Sequence, residues 1–121
     1  MFFKAHIRWI EVLSNSDFLV NYVENVIYPV NLEGKSLLST KYGSKLYVFD
    51  DKCPHQGMSL RYGACLNGKV ICQWHKYAYS LESGKDLSTS GSTLKVYQVK
   101  LENDFWYVAW EERLPFWMDS V

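Results

Sequence analysis

Cysteine and histidine are both scarce in this chain, three of each in 121 residues. An odd number of cysteines without a dense framework excludes a small disulfide-stapled scaffold. Neither sign of charge is in excess: thirteen Lys and Arg balance thirteen Asp and Glu. No overall field therefore draws the chain to nucleic acid or to an anionic membrane. Apolar runs are only a few residues long, far short of the roughly 20 that span a bilayer. The first residues carry Lys4, His6 and Arg8 threaded among apolar neighbours, unlike the pure apolar core of a secretory signal. A Gly-rich nucleotide fingerprint is missing, as are internal repeats, low-complexity segments and linkers. The expectation is one cytoplasmic domain spanning residues 1–121, with no nucleic-acid and no membrane partner.

What is abundant is aromatic surface, 17% of residues, which fits a small β-rich core better than a dedicated aromatic binding face. Short strands are predicted over residues 6–13, 26–32, 35–41, 45–49, 62–66 and 69–71, and a closing hairpin over 94–101 and 105–110. Ser14-Asn15-Ser16-Asp17 offers capping residues for a single helical turn. Pro29 favours an edge position for its strand. Asn67-Gly68 is the strongest two-residue hairpin signal, because a type I′ turn needs positive φ at both positions. The strand returning from it runs directly into Cys72. The fold class is all-β.

Two short stretches concentrate the soft ligands. Cys53-Pro54-His55-Gln56-Gly57 separates its cysteine and histidine by one residue, and Cys72-Gln73-Trp74-His75 by two, with sixteen residues between His55 and Cys72. Thiolate sulfur and neutral imidazole both bind iron, zinc and copper. Three readings are open on the residues alone. The four could be scattered core and surface side chains. They could form a structural zinc site, although zinc pairs usually keep the two cysteines together and the two histidines together. Or they could hold a [2Fe–2S] cluster with both cysteines on one iron and both histidines on the other. The mixing of ligand types within each loop favours the third, since each loop then gives one ligand to each iron.

The C-x-H…C-x-x-H pattern resembles the signature of the Rieske iron–sulfur family. The stretches "LYVFDDKCPHQGMSL", "LNGKVICQWH", "AYSLESGK" and "LKVYQVKLENDFWYV" resemble the strands and loops of Rieske-type ferredoxins, over roughly residues 27 to 110. The resemblance implies a Rieske fold: an antiparallel, sandwich- or barrel-like base, residues 1–50 and 93–121, with an inserted cluster-binding subdomain at about 51–92. It implies a [2Fe–2S] cofactor held by Cys53, His55, Cys72 and His75, and one electron accepted and passed on. Tyr79 stands where the respiratory, high-potential members of the family place a tyrosine that donates a hydrogen bond to sulfur. The neighbouring serine donor is replaced by Tyr77, and the extra cysteine pair of respiratory members is missing, so a potential in the lower part of the Rieske range is expected. Two departures from the family stand out: Lys76 where glycine often follows the second histidine, and Gly91-Ser92 without a proline.

Rieske oxygenases also carry a second iron on two histidines and a carboxylate. Only His6 is left over, so an oxygenase catalytic subunit is excluded and no substrate turnover is expected. The implied role is a soluble carrier between a flavin-containing reductase and a terminal oxygenase of a ring-hydroxylating system. The alternatives are the small subunit of an assimilatory nitrite reductase, or a structural module with a zinc or empty site. Around the ligands, Pro54, Gln56, Met58, Trp74 and Lys76 form a candidate docking rim. Cys65 reads as a small buried hydrophobe, and His6 as an ordinary sheet residue. The apolar tail Leu114-Pro115-Phe116-Trp117-Met118 reads as packing against the base.

Overall fold

In the computed structural model the described residues are 3–54, 57–74, 76–87 and 91–115, with side chains described from residue 6 to residue 112. The first strand, β1 (Phe3–Ser14), ends in a helix, α1 (Asn15–Asn21). The Ser14 hydroxyl accepts from the Asp17 N–H at 3.1 Å, satisfying one of the amides a helix start leaves open. The helix runs seven residues rather than one turn, because fully buried Phe18 anchors it to the core. Next come β2 (Ile27–Leu32), β3 (Lys35–Tyr42) and β4 (Lys45–Asp50). Pro29 does lie on an edge strand, β2.

The later half of the chain differs from the sequence expectation in three places. Residues 60–62 form a turn of 3₁₀ helix, with the Ser59 hydroxyl accepting from the Arg61 N–H, so β5 (Ala64–Leu66) starts later than predicted. β6 (Lys69–Ile71) follows the Asn67-Gly68 turn, whose φ values of 51° and 77° are the pair a type I′ hairpin requires. A third short strand, β7 (Ala78–Ser80), pairs with β6; three residues are too few to show alternation. The segment expected as one strand over 94–101 splits at Gln98 into β8 (Val96–Tyr97) and β9 (Val99–Glu102). β8 pairs with β4, and β9 with β10 (Phe105–Pro115), so the chain changes sheets there.

Three sheets result, antiparallel in every strand pair: β1-β10-β9, β2-β3-β4-β8 and β5-β6-β7. The second carries the weight. In β3 and β4 the burial is continuous, Leu37 to Thr40 and Leu46 to Phe49, as in strands covered on both faces. Alternate residues then enter different cores. Leu37, Leu46 and Val48 join Phe18, Trp106 and Val108 on the side of the first sheet. Leu38, Tyr47 and Phe49 join Cys53, Leu60, Cys65, Val70, Cys72, Tyr79 and Leu81 on the side of the third. The chain leaves the central sheet at Asp50, builds the third sheet and the two loops, and returns beside β4 as β8.

Gly84 closes this excursion. Its φ is +76°, and a Cβ there would lie 2.0 Å from the Leu94 carbonyl oxygen. Gly34 has the same φ, +77°, but open space around it. Gly84→Ala should therefore cost well over the ~1 kcal/mol of Gly34→Ala, as a difference in urea midpoints. Equal losses would show that the close approach at Leu94 relaxes freely.

Candidate metal centre

The first loop grows out of β4. The Ser59 hydroxyl donates to Asp51 Oδ1 and the Leu60 N–H to the Asp51 carbonyl, tying the two ends of the loop together. Inside that clasp the Cys53 N–H donates to the Met58 carbonyl at 2.7 Å, and the Gly57 N–H to the Cys53 carbonyl at 2.7 Å. The second loop closes in the same way: the Cys72 N–H donates to the Tyr77 carbonyl, again at 2.7 Å. In both, the cysteine amide is held by the carbonyl five residues on. Gly63, in the first loop's exit, explains how the two loops come together. A Cβ on it would lie 2.2 Å from the Ile71 carbonyl oxygen, just before Cys72. Nothing in the sequence marks this glycine, because its contact is made across the fold.

Cys53 and Cys72 are both buried, 1% and 0% exposed. Their thiols lie within hydrogen-bonding reach of each other. Burial pushes the Cys72 thiol above its ordinary value, and the Cys53 thiol adds to the push; the Trp74 N–H, which donates to the Cys72 sulfur, and the Lys76 charge pull it down. Fully buried Tyr79 places its hydroxyl 3.3 Å from Cys53 Sγ. Two desolvated thiols side by side resist ionisation unless a cation compensates them. Donors already aimed at both sulfurs are what a pair of metal-bound thiolates needs, so these residues fit a sulfur-ligated iron. His55 and His75, with Gln56, lie outside the described residues. Among the described residues no three His, Cys, Asp or Glu side chains converge on one point.

Residues 8–98 match the Rieske [2Fe-2S] domain. The chain belongs to that family. The cofactor of Rieske domains is a [2Fe–2S] cluster. The ferredoxin component of the alkene monooxygenase system of Xanthobacter autotrophicus is 30% identical over 67 residues, 54% of this chain and 55% of that protein. Human apoptosis-inducing factor 3 is 34% identical over 62% of this chain, but the match spans only 12% of the larger protein. Among solved structures, the complex of reduced oxygenase and oxidised ferredoxin in carbazole 1,9a-dioxygenase aligns with a TM-score of 0.69 at 27% identity, covering 84% of this chain and 92% of the matched one. A nitrite reductase small subunit aligns with a TM-score of 0.67 at 20% identity, over 84% and 97% of the two chains, which shows a common fold. Among the described residues, no helix is long and apolar enough to cross a membrane.

Other residues of this Rieske domain fall where the sequence put them, or elsewhere for a stated reason. Cys65 is buried on β5 in the same core as the two loop cysteines. Desolvation pushes its thiol up to about 11, against a smaller downward pull from the Thr40 hydroxyl. Of the expected rim, Pro54, Met58, Trp74 and Lys76 are exposed. His6 is on β1, paired across the ribbon with Glu112. The tail is in part strand: Leu114 and Pro115 pair with Lys4 and Phe3, while Phe116, Trp117 and Met118 lie outside the described residues.

Lys76 adopts φ +57°, the left-handed region where a Cβ is penalised. This is a backbone conformation that glycine, the residue the family resemblance leads one to expect here, adopts without penalty. Lys76→Gly should stabilise the protein by about 0.5–1 kcal/mol, measured as a rise in denaturant midpoint with an unchanged slope; a fall would mean the lysine side chain holds the loop. For Cys65 the folded thiol ionises above its unfolded value, so its stabilising contribution is complete below about pH 9 and lost as the pH rises towards about 11. At pH 8 alkylation of Cys65, read by peptide mapping, should be slow in the folded protein and fast in denaturant; rapid labelling of the native state would contradict its burial.

Proposed function

We propose that this chain is a one-electron carrier in which Cys53 and Cys72 bind one iron of a [2Fe–2S] cluster and His55 and His75 the other. The reading rests on one observation above all: two buried thiols, one from each loop, lie side by side with the Trp74 N–H and the Tyr79 hydroxyl directed at them. The cluster, when bound, supplies a one-electron couple at a potential above that of all-cysteine ferredoxins. The chain's own groups do the rest. Cys72 and Cys53 are kept from water by Leu38, Phe49, Leu60 and Leu81, so the polar groups that face sulfur act at low dielectric. The Tyr79 hydroxyl stabilises electron density on Cys53 and raises the potential; the missing serine donor, with Tyr77 in its place, lowers it. Residues about 51–92 form the cluster-binding part on a base of 1–50 and 93–121.

The carrier takes its electron from a flavin-containing reductase and gives it to a terminal oxygenase, in the cytoplasm. Support for the oxygenase comes from its relatives: a ferredoxin component of an alkene monooxygenase system and a structure pairing a ferredoxin with an oxygenase. The chain performs no turnover alone.

The direct test is the purified full-length protein. It should be red-brown, hold two irons and two sulfides per chain, and give a Rieske-type EPR signal after dithionite. A colourless protein with stoichiometric zinc would sink the proposal. Within that assay, Tyr79→Phe should keep the cluster and lower its midpoint potential by about 40 mV, the one-electron equivalent of about 1 kcal/mol. No change by voltammetry would mean the hydroxyl does not reach sulfur once iron is bound.

A further inference from the structure

The even balance of charge hides an uneven placement. Residues 52–79 contain four cations, Lys52, Arg61, Lys69 and Lys76, and not one Asp or Glu. The rest of the chain holds nine basic against thirteen acidic residues. A neutral protein is therefore polarised, positive across the segment that carries both cysteine loops and negative elsewhere.

The structure puts three of the four cations beside the loops. Lys52 directly precedes Cys53 and is bridged to Ser59; Arg61 follows the Ser59 cap; the charge of Lys76 reaches the Cys72 thiol. All three side chains are exposed. Lys69 sits at the far end of β6, by the turn. Asp50 and Asp51 line a surface pocket together with Lys52, and the carboxylates around the loops are half-buried. Asp51 accepts from the Ser59 hydroxyl, and half-buried Asp86 is bridged to Tyr79. The same loops expose large apolar side chains: Met58, 41% exposed, whose backbone carbonyl holds the Cys53 amide, and Trp74, 49% exposed, whose backbone N–H meets the Cys72 sulfur. Leu87, 53% exposed, is tied by its N–H to the Ala78 carbonyl at the loop end of β7.

From this arrangement, resting on the carrier reading above, we infer that the cluster end docks on a protein surface with an apolar centre and an acidic rim. The redox partner's docking face carries Asp and Glu, and the encounter is steered by Lys52, Arg61 and Lys76 rather than by net charge. An interface with an apolar core and a charged rim suits a contact that must form fast and release fast.

The test uses the full-length holoprotein, reduced with dithionite, and two small oxidants of opposite charge: the hexacyanoferrate(III) trianion and the tris(phenanthroline)cobalt(III) trication. Raising the ionic strength from about 0.01 M to about 1 M shortens the screening length from about 30 Å to about 3 Å. Stopped-flow reoxidation by the anion should slow by about tenfold or more, and that by the cation should quicken. In the charge-reversed variant Lys52→Glu/Arg61→Glu/Lys76→Glu both trends should invert. The milder Lys52→Gln/Arg61→Gln/Lys76→Gln should flatten them, and Lys45→Glu/Lys95→Glu/Lys100→Glu on the base should leave them in place. Flat responses to both oxidants, or the opposite signs, in a protein that shows the Rieske EPR signal would overturn the docking inference and leave the carrier reading standing. A protein that takes up no cluster would overturn both.

Discussion

Two thiols pressed together and away from water set the terms for everything around them. Burial makes the Cys72 thiol reluctant to ionise, and the neighbouring Cys53 sulfur makes it harder. The fold answers with a low-dielectric enclosure and a small set of donors: the Trp74 N–H at Cys72 and the Tyr79 hydroxyl at Cys53. Holding donors at that range takes rigid loops. The recurrent closure, in which a cysteine amide is held by the carbonyl five residues later, supplies rigidity from the backbone alone. The side chains within each loop are then free to serve as ligands or as surface.

The enclosure depends on a central sheet buried on both faces. β3 and β4 send alternate residues into two cores, so one sheet anchors the helix and the β1–β10 ribbon on one side and roofs the cysteines on the other. Phe49 belongs to the cysteine core and stands four residues before Cys53 on the same run of chain. A shift of register by one residue would exchange the two cores and swing the loop away. The sharp turns that pin register therefore matter to the site, though none touches it.

Much of this was legible in the sequence. The mixed Cys–His pairs, the Asn67-Gly68 hairpin and the edge position of Pro29 rest on local patterns, and local patterns are what a sequence displays. The switch of sheets at Gln98, the 3₁₀ turn at 60–62 and strand β7 were not legible, because each is stabilised by partners far along the chain. Gly63 and Gly84 belong with them: the carbonyls that exclude a side chain at those positions come from Ile71 and Leu94.

By itself the sequence determined the all-β class and the spacing of the two Cys–His pairs on which the proposed ligand set rests, since each depends only on which residues are present and how far apart. Tertiary structure alone decided that the two cysteines share one dry pocket, that Tyr79 reaches Cys53, and that Lys76 occupies a left-handed turn. It also decided that Lys52, Arg61 and Lys76, in a run the sequence already shows to lack Asp and Glu, are exposed. Solvation, dielectric and field are properties of positions in space, and folding assigns them.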